Sequence, residues 1–344
     1  MKKTIVMLMA ILLLPLTCLA DGKKDGKTFT VLQWNIWQEG TMVKGGYEAI
    51  LNELERLRPD YVTFSEVRNY RDDFIARVCK DMAKRGVVYY GFRSDDTGLL
   101  SSTPITAYKT VFPLKDDHGS IYKLETKVCG RKLALYTSHL DYLNDTYYEV
   151  RGVDGNTFKE MEPLTDVDEI LRRNALSMRD KAIANFLKEA KRDQERGFIT
   201  IIGGDFNEPS VQDWTEQTRD LYDHHGVVIA WPQTTALIKA GFNDCYRTVH
   251  PNVLTHPGFT FPSDNPDVDP NKLTWAPKSD ERDRIDYLFF RGKGIKVTEC
   301  KLFGPEGNIA YAKRVPLGTD EPIITPLATW PTDHKGVLAT FVVE

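Results

Sequence analysis

Residues 201–210, Ile-Ile-Gly-Gly-Asp-Phe-Asn-Glu-Pro-Ser, set a carboxylate and an amide two positions apart, just after an apolar start and two glycines. Glycines let the backbone turn tightly and let another group approach closely. Asp205 and Asn207 point the same way if a strand runs on through them, because side chains alternate across a strand. A carboxylate beside an amide at a strand end suits a metal ion, a water molecule and an anionic oxygen. Asp and Asn after Gly-Gly are also good turn formers, so their meaning rests on what stands at the other strand ends. Residues 30–35 run apolar and end on Asn35, and residues 61–66 end on Glu66. Residues 133–139 end on His139, with Asp141 two places on. Asp286 opens an apolar run, and Asp333-His334 precede the run that closes the chain.

In this order (Asn, Glu, His, Asp-x-Asn, Asp, Asp-His) the set resembles the endonuclease/exonuclease/phosphatase superfamily. Its members include exonuclease III-like repair enzymes, pancreatic deoxyribonuclease, bacterial sphingomyelinases and inositol-polyphosphate 5-phosphatases. Gly204-Asp205-Phe206-Asn207-Glu208-Pro209 and Asp333-His334 are the most specific elements, and Arg284-Ile285-Asp286-Tyr287 is specific in their company. Trp34-Asn35-Ile36 and Ser65-Glu66-Val67 are weak alone but fall in the expected order. Residues 98–105 and 241–251 also look like supporting elements, so the resemblance covers essentially all of the chain after residue 28.

The resemblance implies an α/β (α+β) four-layer sandwich, two packed mixed β-sheets flanked by helices, and a metal-dependent phosphoester hydrolase. Mg²⁺ prefers oxygen ligands and is usually held by one or two carboxylates plus substrate phosphate; Mn²⁺ would substitute. Glu66 is the expected direct ligand, with Asn35 beside it and Asp333 joining through water. Read alone, Glu66 would be an ordinary solvated loop residue. Phosphoester hydrolysis places charge on the equatorial oxygens and requires in-line attack by water. Asp205 is placed to orient or deprotonate that water, and Asn207 to hold a phosphate oxygen. Asp286 would fix the tautomer of His334 and raise its pKa. By resemblance, His334 either contacts the phosphate or acts as the base, and both roles stay open. His139 is a second imidazole, for the transition state or the leaving oxygen. Some relatives have a tyrosine there, so a histidine leans toward the deoxyribonuclease and sphingomyelinase branches and away from the repair branch. Asp141 reads as a turn residue rather than a second metal ligand, and Asp244 with Arg247 as a structural ion pair. His118 and His224-His225 resemble metal-binding shorthand but are left outside the site.

The chain opens with Lys2-Lys3, an apolar run from Ile5 to Leu14 and then Cys18-Leu19-Ala20, the pattern of a secretory signal peptide over residues 1–20. Ten apolar residues are too few to span a bilayer as a helix. Acylation at Cys18 is the lesser reading, because Pro15-Leu16-Thr17 makes a poor lipobox. The expected product is exported, periplasmic or secreted, with a single catalytic domain over residues 21–344 and no partner beyond its substrate, a monomer. Removing residues 1–20 takes away two lysines and no acid, so the formal charge of −4 becomes −6. Cationic residues are interleaved with acids, as in 278–284, and no basic track for a duplex is visible. A phosphodiester in a small molecule or a phospholipid head group, or else a phosphomonoester, is therefore the first expected substrate, and DNA or RNA the alternative. An inactive binding module on the same fold is the third reading, and the presence of Glu66, Asp205, Asn207 and His334 argues against it. Cys79, Cys129, Cys245 and Cys300 include no CxxC pair; buried thiols and one bridge are both open.

The elements that position these groups follow from periodicity. Residues 47–58 and 72–84 read as helices, and one long helix is expected over 166–196, with Leu171, Ala175, Met178, Ala182, Phe186 and Ala190 in a stripe. Thr165 and Asp168 resemble its capping box and Gly197 its stop. Short antiparallel strands are expected from 89 to 138, a helix near 234–240, and strands over 198–203, 285–290, 295–302 and 336–343. Two long segments, 142–165 with Tyr142, Tyr147, Tyr148, Arg151 and Phe158, and 303–332 with Tyr311, Lys313, Arg314 and Trp330, read as walls of the substrate cleft. Phe261 and Trp275 could line it as well, although aromatic residues are more often core.

Overall fold

Alternation along each strand decides which side chains meet between the sheets and which meet the helices. The computed structural model describes residues 27–344, so the signal-peptide reading and Cys18 lie outside the described residues. In chain order come β1 (Thr28–Asn35), α1 (Gly46–Leu57), β2 (Tyr61–Val67), α2 (Phe74–Lys84), β3 (Tyr90–Gly91) and β4 (Asp96–Ser101). Next are β5 (Ala107–Phe112), β6 (Gly119–Val128), β7 (Arg131–Leu140), α3 (Thr146–Val150), α4 (Val167–Asn174), α5 (Arg179–Glu195) and β8 (Ile199–Asp205). Then follow α6 (Pro232–Lys239), β9 (Asn243–Asp244), α7 (Cys245–Val249), β10 (Asp286–Arg291) and β11 (Ile295–Phe303). The short strands β12 (Asn308–Ala310), β13 (Lys313–Val315) and β14 (Ile323–Ile324) lead into β15 (Gly336–Val343).

One sheet has the order β14-β11-β15-β1-β2-β4-β3 and the other β5-β6-β7-β8-β10-β9. Both are mixed, with β1/β2 and β7/β8 parallel among antiparallel neighbours. Between the sheets, Phe29, Val31, Leu133, Leu135, Ile199, Ile201, Leu288, Val337, Ala339 and Phe341 form the dry core. The outer face of the first sheet buries Leu32, Trp34, Val62 and Phe64 against Ile50, Leu51 and Leu54 of α1 and Phe74, Ile75 and Val78 of α2. The outer face of the second buries Ala134, Tyr136, Ile202 and Phe289 against Ala182, Ile183, Phe186 and Ala190 of α5 and Leu237 of α6. These are the four expected layers. Among the described residues no helix is long and apolar enough to cross a membrane.

Four expectations fail for identifiable reasons. The helix expected over 166–196 is two helices, because Met178 N–H donates to the Asp141 carboxylate at 2.8 Å and the chain turns at 175–178. That turn sends the fully buried Arg179 guanidinium to Asp141 O, Leu143 O and Asn144 O at 2.6, 3.2 and 2.8 Å, and to Asn174 Oδ1 at 2.6 Å. The α4 cap is Asp166, accepting from Asp168 N and Glu169 N, and not the Thr165–Asp168 box. Asp244 and Arg247 do not pair side chain to side chain. Asp244 takes Arg284 at 2.6 Å and Arg247 takes Asp213 at 2.6 Å, a buried relay in which Arg284 also reaches Asp213. Residues 303–332 are not a cleft wall. Trp330 is fully buried against Trp34 and Phe303, and Arg314 is held by Asp264. His224 is buried and stacked on Trp214 at 3.7 Å, with its pKa pushed down to about 2 by burial and by Arg151. Among the described residues the four cysteines are free thiols, Cys245 and Cys300 buried, Cys79 half-buried and Cys129 exposed.

Arg179→Leu should lower unfolding free energy by about 3–5 kcal/mol, because it leaves buried acceptors and the nearby acids uncompensated. Urea titration reads this directly, and a loss under about 1 kcal/mol would show that the guanidinium is dispensable. Gly204→Ala places a Cβ 1.9 Å from Ser138 Oγ and 2.3 Å from Ser138 O, where the backbone cannot give way cheaply. A loss of about 3 kcal/mol is expected, and an unshifted melting curve would contradict the close approach of β7 and β8.

Candidate active site

In the second sheet three neighbouring strands bring three site residues into one row. β7 pairs with β8 so that His139 faces Asp205, and β8 pairs with β10 so that Asp205 faces Asp286. All three side chains continue the inner faces that deeper in the molecule carry Leu135, Ile201 and Leu288. On the facing sheet, Gln33 and Asn35 continue the face of Val31, and Thr63 and Ser65 that of Tyr61. Glu66 breaks this alternation. The β2/β4 register slips between Ser65 and Val67, and Glu66 has φ +64°, so a bulge turns its carboxylate toward the cleft. Beyond β8, Asn207 has φ +47°. The strand therefore does not run on to Asn207; a turn brings it back, with its N–H on Asp205 Oδ1 at 2.9 Å.

The contacts form two imidazole–carboxylate pairs around Asp205. His334 Nδ1 lies 2.9 Å from Asp286 Oδ2, and His139 Nδ1 lies 2.8 Å from Asp96 Oδ2. Their Nε2 atoms stand 3.8 Å and 4.0 Å from Asp205 Oδ2. Asn35 Nδ2 donates to Asp205 Oδ2 at 2.9 Å and to Glu66 Oε1 at 3.1 Å, while Asn35 Oδ1 accepts from Trp37 N at 2.9 Å. Gln38 N donates to Glu66 Oε2 at 3.0 Å. Asn207 Nδ2 donates to Leu140 O at 3.0 Å and lies 3.2 Å from His139 Nε2. Asp333 Oδ1 is 3.9 Å from His334 Nε2.

Charge is concentrated here. Burial alone would depress both imidazoles, but Asp96 lifts His139 to about 9, and Asp286 with Asp205 and Asp333 lifts His334 to about 10. Burial raises the Asp205 carboxyl, Asp286 adds to the effect, and the two imidazoles oppose it. Burial likewise raises Asp333, helped by Glu66 and opposed by His334.

Six of the eight expected residues (Glu66, His139, Asp205, Asn207, Asp333 and His334) line one cavity of about 260 Å³. Asn35 and Asp286 are fully buried directly behind it. Asn35 accepts from Trp37 N through its amide oxygen and gives its N–H groups to two carboxylates, which holds Glu66 and Asp205 in place. Asp205, Asp286 and His334 bring potential ligand atoms within 4.8 Å of one another. Asp286 and His334 are already engaged with each other, however, so Glu66 and Asp333 are the freer oxygen donors. The lining holds five carboxylates, from Glu66, Asp117, Asp145, Asp205 and Asp333, against Arg68 and the two imidazoles of His139 and His334. An oxygen-rich, under-compensated acidic cavity fits a divalent hard cation.

Sequence reasoning missed several supports. Asp96, which orients His139, opens β4 and carried no motif. Gln33, a polar residue inside an apolar run, donates to Asp286 Oδ1 at 3.3 Å across the sheets. Arg68 (paired with Asp96 at 2.9 Å and Asp117 at 2.6 Å) and Asp145 carried no motif. Asp141 serves its turn, accepting from Leu143 N at 3.1 Å, and His118 leans on it at 3.0 Å. Of the expected walls, Tyr142, Tyr147, Tyr148, Phe158, Phe261 and Trp275 do line the cavity, whereas Tyr311, Lys313 and Arg314 do not.

Among known proteins, truncated TDP2 from Caenorhabditis elegans is similar in structure, at 18% identity and TM-score 0.53, over 93% of this chain and 100% of that one. D. rerio TDP2 complexed with a single-strand DNA product is similar at 18% identity and TM-score 0.50, over 91% of this chain and 98% of that one. The human nocturnin catalytic domain with bound sulfate is similar at 17% identity and TM-score 0.50, over 92% and 95%. These likenesses bear on the fold alone. An uncharacterized protein of Caenorhabditis elegans is 25% identical over 98% of this chain and 99% of its own length. Residues 32–334 match the Endonuclease/Exonuclease/phosphatase family across two packed mixed sheets and the site they carry, and the chain belongs to that family.

Proposed function

We propose that the protein is an exported, Mg²⁺-dependent phosphodiesterase that cleaves its substrate by in-line attack of an activated water. The observation that carries this reading is the buried Asp205 carboxylate between two imidazoles, each anchored by its own carboxylate. Glu66 and Asp333 would hold the metal, which when bound would neutralise phosphate charge. Asn35 keeps Glu66 and Asp205 in place. Asp205 accepts the proton of the attacking water as its oxygen bonds to phosphorus. His334, with Nδ1 tied to Asp286, turns Nε2 toward the phosphoryl oxygens and donates to one of them. Asn207 holds a second oxygen. His139, oriented by Asp96, gives a proton to the departing ester oxygen as the P–O bond breaks, leaving a phosphomonoester and an alcohol. Export is supported by the pattern of residues 1–20, and a monomer is the expected state.

A nuclease is the second reading, favoured by the likeness to a TDP2 structure that holds a single-strand DNA product. The acidic lining and the engagement of Arg68 with two aspartates weigh against a cavity built for a polyanion. An inactive binding module fits poorly with a complete set of site residues.

Two results are expected on bis-p-nitrophenyl phosphate. Chelator should abolish hydrolysis, and Mg²⁺ or Mn²⁺ should restore it, since the site lacks the thiolates or several imidazoles that zinc favours; turnover that persists in chelator would remove the metal from the mechanism. Asp205→Asn and His334→Ala should each cut kcat roughly 10²-fold or more with an unchanged melting curve. Near-normal turnover in either variant would take that residue out of the reaction. Plasmid degradation at low enzyme concentration, falling steeply with salt, would favour the nuclease.

A further inference from the structure

The strands that carry the reacting row at one end carry a group of cations at the other. β7 begins on Arg131, β10 ends on Arg291, and Lys293 follows in the turn to β11. At roughly 3.3 Å per residue, β7 sets Arg131 about 26 Å from His139. Arg131, Arg291 and Lys293 line a cavity of about 470 Å³ together with Gln194 and Phe198, and its lining includes no aspartate or glutamate. On a chain of net charge −4 such a cavity is a local exception. Among the described residues no carboxylate lies within 4.0 Å of any of the three cations. Arg131 Nη2 donates to Lys293 O at 2.9 Å, and Arg291 Nη1 donates to Ala240 O. Each guanidinium thus has further N–H groups without a partner among the described residues. Gln194 Nε2 is buried and donates to nothing.

Cations often gather at a helix C-terminus to meet its carbonyls, and α5 ends here. Its last carbonyls are already taken, however: Arg192 O and Asp193 O accept from Arg196 N, Gln194 O from Gly197 N, and Asp193 O also from Phe198 N. Arg196, whose Cζ lies 4.6 Å from the Phe198 ring centroid, is neutralised by Glu125 and Asp193. The three lining cations are left over. Two guanidinium forks match the oxygens of a phosphate, and an ammonium adds a point charge. Three positive charges favour a doubly charged phosphomonoester over a singly charged diester, and Gln194 adds a buried amide in need of an acceptor. So compact a group makes no track for a nucleic acid. We propose that Arg131, Arg291 and Lys293 form a second anion site, remote from the cleft, for the dianionic phosphate of a phosphomonoester. It stands apart from the phosphodiesterase reading, because none of its residues lines the reacting cavity.

Titration calorimetry tests this in low-salt buffer with chelator present, comparing methyl phosphate with dimethyl phosphate. At about pH 8, above the second pKa of a phosphomonoester, the first is a dianion and the second a monoanion. The wild-type protein should bind methyl phosphate roughly tenfold more tightly, the worth of one charge-assisted hydrogen bond. The double substitution Arg131→Ala with Arg291→Ala should weaken that binding roughly tenfold or more. Hydrolysis of bis-p-nitrophenyl phosphate should be unchanged, with circular dichroism confirming the fold. Lys293→Glu, in an exposed turn, should weaken binding as well and decides the matter if the double variant misfolds. Binding that favours neither ester, that survives these substitutions, or that is absent from the wild-type protein at millimolar ligand overturns the site. The readout needs no turnover, so it stands whether or not the protein hydrolyses phosphodiesters. Glycerol 3-phosphate in solution against phosphatidic acid vesicles then assigns the phosphate to a soluble or a lipid carrier.

Discussion

The cleft end of this molecule depends on hydrogen bonds that cross between the two sheets. Ser65 Oγ donates to Ser138 O at 3.0 Å and accepts from Asp205 N at 3.1 Å and Gln33 Nε2 at 3.2 Å. Thr137 Oγ1 reaches Phe64 O at 3.0 Å, and Gln33 continues to Asp286. Each inner strand face changes from aliphatic to small and polar as it nears the cleft, and only then presents an ionisable group. Buried polar groups of this kind stabilise only when fully paired, which ties the sheets to one separation and one register there. The absence of side chains at Gly203 and Gly204 is part of the same constraint. A Cβ at Gly203 would lie 2.3 Å from Thr63 Oγ1.

That constraint explains how so many acids can share a small volume. Asp205 and Asp286 are strand neighbours, and they are tolerated because His334 is hydrogen-bonded to one and lies close to the other. Asp96 does the same for His139 from the opposite sheet. The imidazoles are thus structural as well as chemical: each is the counter-ion that lets its carboxylate be buried. Glu66 and Asp333 have less compensation from the protein itself, which is where a hard cation has most to offer.

Much of this was legible from residue order. The strands that end on Asn35, Glu66, His139 and Asp205 carry both the period-two signal and the polar residue that ends it, so element and site residue were found together. The layers followed from family likeness, because alternation says which residues share a face but not which faces meet. What stayed hidden has a common cause. The break in the long helix comes from a side chain donated by a distant turn at Asp141, and no local propensity at 175–178 announces it. Asp244 and Arg247 are three apart and looked like partners, yet each found a better-placed partner from another segment. Asp96 and Gln33 act across the sheets, at sequence separations that pattern reading does not span. Trp330 was misread because a tryptophan in an irregular segment looks exposed until something is seen to cover it.

Arg179 grips the segment after β7 almost entirely through main-chain oxygens, and it stands within 3.8 Å of Glu208 beside the Asn207 turn. A clamp that reads mainly backbone depends little on which side chains that segment carries. That part of the cavity wall can therefore accept other aromatic or polar groups while the row of β7, β8 and β10 keeps its geometry.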